Sequence, residues 1–211
     1  MADVVWQPSL LGASRGDGAD DPRVDRTFTG LVRRQLDDTA WVDHVPGWVT
    51  GADEVFETLL ARVSWRHHTR RMYDNVVDQP RLTGSWKSSA GEPILPVIGE
   101  MRDALRERYQ RDFTTGGLNL YRDGQDSVAW HGDRIPKEIV DPVVGIVSLG
   151  HPRTFRLRPK GGGRSIPIEV ANGDLVVTGG TAQRTWEHAI LKTVSAGPRI
   201  SITFRHGARD M

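Results

Sequence analysis

The stretch "RISITFR", residues 199–205, decides how this chain is expected to fold. Side chains alternate between the two faces of a β-strand, so one face of the stretch is apolar and consists of Ile200, Ile202 and Phe204. The opposite face is polar and consists of Arg199, Ser201, Thr203 and Arg205. If the apolar face packs against helices, both arginines point into the sheet sandwich, where a buried cation needs an anion. No acidic residue lies nearby in the sequence, so a bound carboxylate is the expected partner.

Short β-rich segments, divided by Gly, Pro, Asn and Asp, fill the chain after Thr115. They are "GLNLY" (117–121), "SVAW" (127–130), "VVGIVSL" (143–149), "TFRLR" (154–158), "SIPIEV" (165–170), "DLVVTG" (174–179) and the stretch quoted above. This rhythm predicts a mainly β protein of the α+β class. We expect a sandwich or barrel of antiparallel strands with flanking helices.

Two segments before that point have the spacing of amphipathic helices. "GADEVFETLLARV" (51–63) repeats apolar residues at helical intervals, and "EPILPVIGEMRDALRERYQ" (92–110) does the same. Pro93 and Pro96 are expected in or near the first turn of the second helix. Residues 12–23 read as a loop or tail, and residues 64–92 as irregular or short-strand structure.

Composition narrows the possible chemistry. The 211 residues, 37% hydrophobic and 26% charged, suit one soluble globular domain. There is no cysteine, so a metal site must use histidine and carboxylate. No signal-peptide pattern is present and no apolar run reaches about 18 residues, so we expect a cytoplasmic protein away from membranes.

Charge is unevenly distributed along the chain. Residues 1–54 hold ten acidic and five basic side chains, a net of −5, and the total of +1 leaves +6 for the remainder. The basic remainder could face an anionic partner, although a solvated surface is the more common explanation.

A histidine and an aspartate two positions apart stand in "VAWHGDRI" (128–135). On an extended strand, His131 and Asp133 can converge on one metal, and "TWEHAIL" offers His188 as a third ligand. Two histidines and one carboxylate leave three positions open on an octahedral ion, as in oxygen-activating non-heme Fe(II) sites. The alternative is that these residues only close a strand into a turn.

Four motifs give the pattern its specificity: "NLYRDGQDSVAWHGD" (119–133), "IVSLGHPRTFRLR" (146–158), "GDLVVTGGTAQRTWEHAI" (173–190) and "PRISITFR" (198–205). In this order they resemble the AlkB family of Fe(II)- and 2-oxoglutarate-dependent dioxygenases over residues 115–206, and more loosely over 65–110. The resemblance implies a double-stranded β-helix (jelly roll) core over residues 93–211. Residues 1–92 would then form an N-terminal extension and a substrate-recognition lid within a single catalytic domain.

The resemblance also implies residue roles. His131, Asp133 and His188 would hold iron. Arg199 would pair with the distal carboxylate of 2-oxoglutarate and Arg205 would lie near its other end. Further hydrogen bonds to this co-substrate would come from Asn119, Tyr121 and Ser201, the last standing where the family often has Asn.

The implied reaction is oxidative dealkylation of a damaged nucleic-acid base, which serves DNA repair. It consumes O2 and 2-oxoglutarate and releases an N-methyl carbon as formaldehyde. Nucleic acid is therefore the expected partner, and the protein is expected to be a monomer.

Substrate contacts are predicted in three places. Trp86 and Tyr73 lie in the expected lid, as base-stacking or phosphate-contacting aromatics or as ordinary half-buried ones. Arg134 and Ile135 follow the His-Asp pair where the family usually has an acidic residue that reads the base. The basic segment 151–164 could follow a phosphate backbone or be a solvated edge hairpin.

The departure at Arg134 keeps a second function open, the same chemistry on RNA, a protein side chain or a small metabolite. A third reading, a cupin-like module with a structural metal, does not explain the arginine pair at 199 and 205.

Overall fold

The computed structural model describes residues 21–72, 75–87, 91–133 and 135–206. The strands are β1 (Arg23–Val24), β2 (Val32–Gln35), β3 (Ala40–Val45), β4 (Val49–Thr50), β5 (Arg66–Met72), β6 (Asn75–Gly84), β7 (Phe113–Tyr121), β8 (Val128–His131), β9 (Val144–Gly150), β10 (Arg153–Pro159), β11 (Ile166–Val170), β12 (Leu175–Gly180), β13 (Trp186–Ile190) and β14 (Arg199–His206). The helices are α1 (Ala52–Arg62), α2 (Pro96–Tyr109) and α3 (Ala182–Thr185).

Two antiparallel sheets organise the molecule. The large sheet has eight strands in the order β2-β3-β12-β9-β14-β7-β6-β5, and the small sheet has four in the order β11-β10-β13-β8. From β7 onward the chain distributes its strands between the two sheets, with β7, β9, β12 and β14 in the large one. This is the jelly-roll core expected from the sequence. Strands β1 and β4 form a separate pair.

The large sheet has a different apolar core on each side. One cluster joins α1 and α2 to one face of the sheet and includes Phe56, Met101 and Val177. The other joins the opposite face to the small sheet and includes Val176, Phe155 and Trp186. Neighbours in β12 therefore enter different cores, as strand alternation requires. The layers run from helices to large sheet to small sheet.

Strand β14 follows the alternation predicted for it. Ile200, Ile202 and Phe204 are fully buried in the cluster on the helix side. Arg199 is also buried, at 1% exposure, and belongs to the face that looks toward the small sheet. The helices thus cover the apolar face and leave the polar face of the strand to the space between the sheets.

The second helix begins later than the sequence suggested. It starts at Pro96 and not at residue 92, and Leu95 before it is extended, at φ −135° and ψ 137°. A residue that precedes proline avoids the helical region, and proline without its N–H suits the first helical position. Pro93 instead bridges to Lys87 outside the helix.

Residues 66–84 are more regular than expected. They form the hairpin β5–β6, and β6 pairs with β7 through Leu82 opposite Leu120. Strands β2, β3, β5 and β6 all lie in the large sheet together with β7, β9, β12 and β14. The division of roles at residue 92 stays a prediction. In the described part of the chain, no helix combines the length and apolar character needed to cross a membrane.

Candidate active site

The small sheet brings the three candidate metal ligands together. His131 on β8 is the direct pairing partner of His188 on β13, and their ring centroids are 4.3 Å apart. Asp133 follows two residues after His131, and its Oδ2 lies 3.9 Å from Nε2 of His188. Residues 57 positions apart in sequence thus become neighbours through one strand pairing.

One oxygen of the Asp133 carboxylate has a hydrogen-bond partner and the other has none. Its side chain is 6% exposed, and Oδ1 accepts a hydrogen bond of 2.7 Å from Nε of Arg205. The buried Oδ2 has no hydrogen-bond partner. An unpaired buried carboxylate oxygen is costly unless a cation or a donor meets it.

Within the residues that the structure describes, no three His, Asp or Glu side chains are already drawn around a common point. The three candidates are therefore neighbours and not a closed coordination sphere, and Asp133 here faces Arg205. The donor set of two imidazoles and one carboxylate with an unpaired oxygen nevertheless fits Fe(II).

The protonation states of His188 and Asp133 both favour metal binding. Burial lowers the pKa of His188 to about 4, with help from the neighbouring His131, so the imidazole is neutral at physiological pH. Burial alone would raise the pKa of Asp133, but the charges of Arg205 and His188 outweigh it and the net shift is downward. The site thus presents a neutral imidazole and an ionised carboxylate, the protonation states that metals bind.

His131 is oriented by the backbone. Its Nδ1 lies 2.8 Å from the carbonyl oxygen of Ala129, which can only accept, so Nδ1 carries the proton. Nε2 is then the nitrogen with a free lone pair. A hydrogen bond from the ring nitrogen that does not bind the metal is the usual way in which proteins orient a ligating histidine.

Arg199 is a buried cation with an open hydrogen-bond donor. Its Nε donates to Oγ of Ser148 at 2.9 Å, and its guanidinium lies 5.2 Å from the ring centroid of Tyr121. Nη1 is buried without a partner. Among the described residues it makes no ion pair with a carboxylate. A carboxylate ligand would satisfy both the charge and the free donor.

The other predicted co-substrate residues surround Arg199 on neighbouring strands. In the register of β14 and β7, Arg199 faces Tyr121 and Ser201 faces Asn119. Nδ2 of Asn119 donates to Oγ of Ser201 at 3.3 Å, while its Oδ1 accepts from Nε of Arg81 at 2.9 Å. The structure therefore brings all five predicted co-substrate residues, Arg205 included, to the same side of the large sheet.

Trp86 lies on the helix side of the large sheet, and its burial contradicts the predicted role in base stacking. The ring is 1% exposed and packs on Phe204 at 5.5 Å, within the apolar cluster on the helix side of the sheet. Gly116 makes room for it, since a Cβ there would stand 2.5 Å from Nε1 of Trp86. Because the candidate ligands lie on the other side of the sheet, Trp86 is a core residue. Tyr73 and Arg134 lie outside the described residues.

Part of the basic segment 151–164 is used within the fold. Arg153 is 4% exposed and donates to three backbone carbonyls, and Arg158 pairs with Glu187 at 3.0 Å. Lys160 and Arg164 are exposed. Trp186 is buried, whereas Trp130 is half-buried beneath the guanidinium of Arg158 at 4.1 Å.

Sequence reasoning missed three residues that contact the candidate site residues. Arg81 holds Asn119, Ser148 holds Arg199, and Gln183 accepts from the backbone N–H of Asp133 at 2.8 Å. Ser148 carries a usable signal, because it is the lone hydroxyl in the apolar run "VVGIVSL". Arg81 and Gln183 have none, since their partners are 38 and 50 residues away.

Comparisons with known proteins identify the family of this chain. The family model of the 2OG-Fe(II) oxygenase superfamily matches residues 44–205. Alpha-ketoglutarate-dependent dioxygenase alkB homolog 3 of Mus musculus is 31% identical over 96% of this chain and 77% of its own length. The human protein of that name is also 31% identical, over 89% and 73%. DNA oxidative demethylase ALKBH2 of Bos taurus is 25% identical over 73% of this chain and 64% of its own length.

Solved structures share the fold. The structure of OsALKBH1 superimposes with a TM-score of 0.58 at 14% identity, covering 83% of this chain and all of the other. A 2OG-Fe(II) oxygenase from Burkholderia pseudomallei gives a TM-score of 0.51 at 15% identity, covering 74% and 79%. The chain therefore belongs to the 2OG-Fe(II) oxygenase superfamily, as an AlkB-like dioxygenase that uses Fe(II), 2-oxoglutarate and O2.

Proposed function

We propose that this dioxygenase removes methyl groups oxidatively from damaged nucleic-acid bases, in the service of DNA repair. The observation that carries the proposal is the pair of unpaired buried atoms in the site, Oδ2 of Asp133 and Nη1 of Arg199. The first is open to a cation and the second to a carboxylate. These are the two ligand types that the reaction of this superfamily requires.

In this proposal His131, Asp133 and His188 hold the iron. Bound Fe(II) supplies the activation of O2, which is coupled to decarboxylation of 2-oxoglutarate to succinate. The protein contributes the orientation of its ligands, through the Ala129 carbonyl for His131 and through burial for His188. Arg205 adds a positive charge beside Asp133 and restrains its carboxylate.

The co-substrate would bind along the polar face of β14. Arg199 offers one carboxylate a buried guanidinium fork, and the Tyr121 hydroxyl and Ser201 add hydrogen bonds beside it. Asn119 presents Nδ2 toward Ser201, because its Oδ1 is engaged by Arg81. Arg205 lies at the far end of the strand, where it would meet the second carboxylate of 2-oxoglutarate near the metal.

The substrate class is supported by the relatives. Proteins of Bos taurus and Arabidopsis thaliana that match this chain are named DNA oxidative demethylases, at 25% and 28% identity. The reaction hydroxylates the N-methyl carbon, and the resulting N–CH2OH group then loses formaldehyde and leaves the unmodified N–H of the base. A cytoplasmic location and a monomeric state stay predictions from the sequence.

The test is formaldehyde release from a panel of methylated oligonucleotides. Intact protein with Fe(II), 2-oxoglutarate and O2 should demethylate at least one single- or double-stranded DNA, with succinate and formaldehyde formed in equal amounts. His188→Ala should abolish both products, while Gln125→Ala, which changes an exposed turn residue, should keep them.

Two outcomes would contradict the proposal in different ways. Turnover of methylated RNA alone would keep the nucleic-acid class and remove the DNA-repair role. Absence of formaldehyde from every oligonucleotide, together with hydroxylation of a protein or metabolite fraction, would replace the nucleic acid by another substrate of the same chemistry.

A further inference from the structure

One short turn contacts the segment that carries Asp133 through two adjacent side chains. This turn, Thr181–Thr185, connects β12 to β13 and contains α3. Gln183 in it is 8% exposed. Its Oε1 accepts from the backbone N–H of Asp133 at 2.8 Å, and its Nε2 donates to Oγ1 of Thr178 at 2.8 Å. The amide therefore ties Asp133 to a buried strand of the large sheet.

The next residue, Arg184, holds the loop that follows. Its Nη2 donates to the carbonyl oxygens of Ile139 at 2.5 Å, Pro136 at 3.1 Å and Lys137 at 3.3 Å. One nitrogen thus sits among three carbonyls of the same loop. None of these contacts is to a carboxylate, so the cation serves here to gather backbone groups.

Gly132, between the two candidate ligands His131 and Asp133, packs directly on this turn. A Cβ at Gly132 would stand 2.6 Å from the carbonyl oxygen of Gln183, a distance that real Cβ atoms essentially never show. The turn and the His-Gly-Asp segment are therefore in van der Waals contact as well as hydrogen-bonded. Any displacement of the turn must move the backbone between the ligands.

We infer that Gln183 and Arg184 are positioning residues: Gln183 holds the backbone of Asp133, Arg184 holds residues 136–139, and together they aim the Asp133 carboxylate at the metal. The inference rests on the proposed assignment of Asp133 as an iron ligand and is independent of the substrate. Oδ1 of Asp133 is attracted by Arg205, so the carboxylate needs a fixed backbone if Oδ2 is to remain directed toward His188. Gln183 supplies that fixed point.

The test is titration of intact protein with Co(II), followed by the visible ligand-field bands and by calorimetry. Gln183→Met keeps the length of the side chain and removes both hydrogen bonds, and it should weaken Co(II) binding about tenfold and alter the band shape. Gln183→Glu can still accept from the Asp133 N–H and from the Thr178 hydroxyl, so it should bind Co(II) within about threefold of the parent protein. Arg184→Ala should weaken binding by a smaller factor, about threefold.

Matched controls separate the possible failures. Gln125→Met makes the same substitution at an exposed turn and should leave the titration unchanged. Asp133→Ala should abolish Co(II) binding, and retention of binding would overturn the ligand assignment itself. If Asp133→Ala abolishes binding while Gln183→Met binds as the parent does, the positioning role is wrong. Equal weakening by Gln183→Met and Gln183→Glu would also overturn it.

Discussion

Two buried arginines lie beside the ring of Tyr121, and they are satisfied in opposite ways. Arg153 is 4% exposed and Arg199 is 1% exposed, with guanidinium carbons 5.7 and 5.2 Å from that ring centroid. Arg153 donates to the carbonyl oxygens of Asp123, Asp126 and Leu191 at 2.7–3.1 Å. Arg199 donates from Nε to Ser148 and is hydrogen-bonded to Tyr121, but it keeps Nη1 unpaired.

The contrast between Arg153 and Arg199 shows how a structural arginine differs from an arginine that binds a ligand. Burial and residue type are the same at both positions, so neither distinguishes them. The distinction lies in the partners, because Arg153 directs three of its N–H donors to backbone carbonyls, whereas Arg199 keeps Nη1 unpaired. The same contrast separates Asp174, whose oxygens accept from His44, Gly47 and Ala171, from Asp133 with its free Oδ2.

The largest effect is expected from Arg199→Ala. Truncating one partner of a buried charge pair costs about 2–5 kcal/mol, so the apparent KM for 2-oxoglutarate should rise about 100-fold. The free energy of unfolding without co-substrate should change little, because Arg199 has few protein partners to lose. Steady-state succinate formation and urea unfolding measure the two quantities. An unchanged KM would remove Arg199 from the co-substrate site.

Arg153→Ala should produce the reverse pattern. It leaves the carbonyls of Asp123, Asp126 and Leu191 without their donor, and we expect a loss of about 2–4 kcal/mol in the free energy of unfolding. The KM for 2-oxoglutarate, measured well below the unfolding transition, should stay within about twofold of the parent value. A large rise in KM with normal stability would end the distinction between the two arginines.

Local sequence pattern was sufficient to predict antiparallel strands after Thr115 in a sandwich or barrel, while the jelly roll was implied by the resemblance to a known family. Alternation in β14 placed Arg199 and the apolar residues on the correct faces, because a strand with two unlike faces can pack in only one way. The His-x-Asp pair and His188 are likewise brought together by one strand pairing. The resemblance to a known family added the roles, which no periodicity contains.

Other features depend on distant partners and were missed or wrong. Strand β3 is hidden in the sequence because Asp43 interrupts its apolar run, yet Asp43 is fully buried through bonds to Arg33 and Tyr109. Trp86 was predicted either to stack on a base or to be an ordinary half-buried aromatic, and it is instead buried at 1% exposure beside Phe204 and Gly116. Asp43 and Trp86 owe their burial to Tyr109, Phe204 and Gly116, which lie far away in the sequence and which no local pattern reveals.

The smallest effect on the KM for 2-oxoglutarate is expected from Ser148→Ala. Ser148 accepts a hydrogen bond of 2.9 Å from Nε of Arg199. Its loss should allow the guanidinium to turn away from its binding orientation at a cost of about 1 kcal/mol, which corresponds to roughly a fivefold rise in KM for 2-oxoglutarate.

Ser165→Ala is the matched control for Ser148→Ala, because Ser165 accepts from Nη1 of Arg156 at 3.2 Å in the other sheet. It should leave KM unchanged, since Arg156 is half-buried and lies outside the candidate co-substrate residues. If both serine variants raise KM alike, the effect is a general loosening of the sandwich and Arg199 is not specifically oriented by Ser148. If only Ser148→Ala raises KM, then Arg199 binds 2-oxoglutarate because its unpaired donor is correctly oriented. The presence of a buried cation is then not enough to make a binding residue.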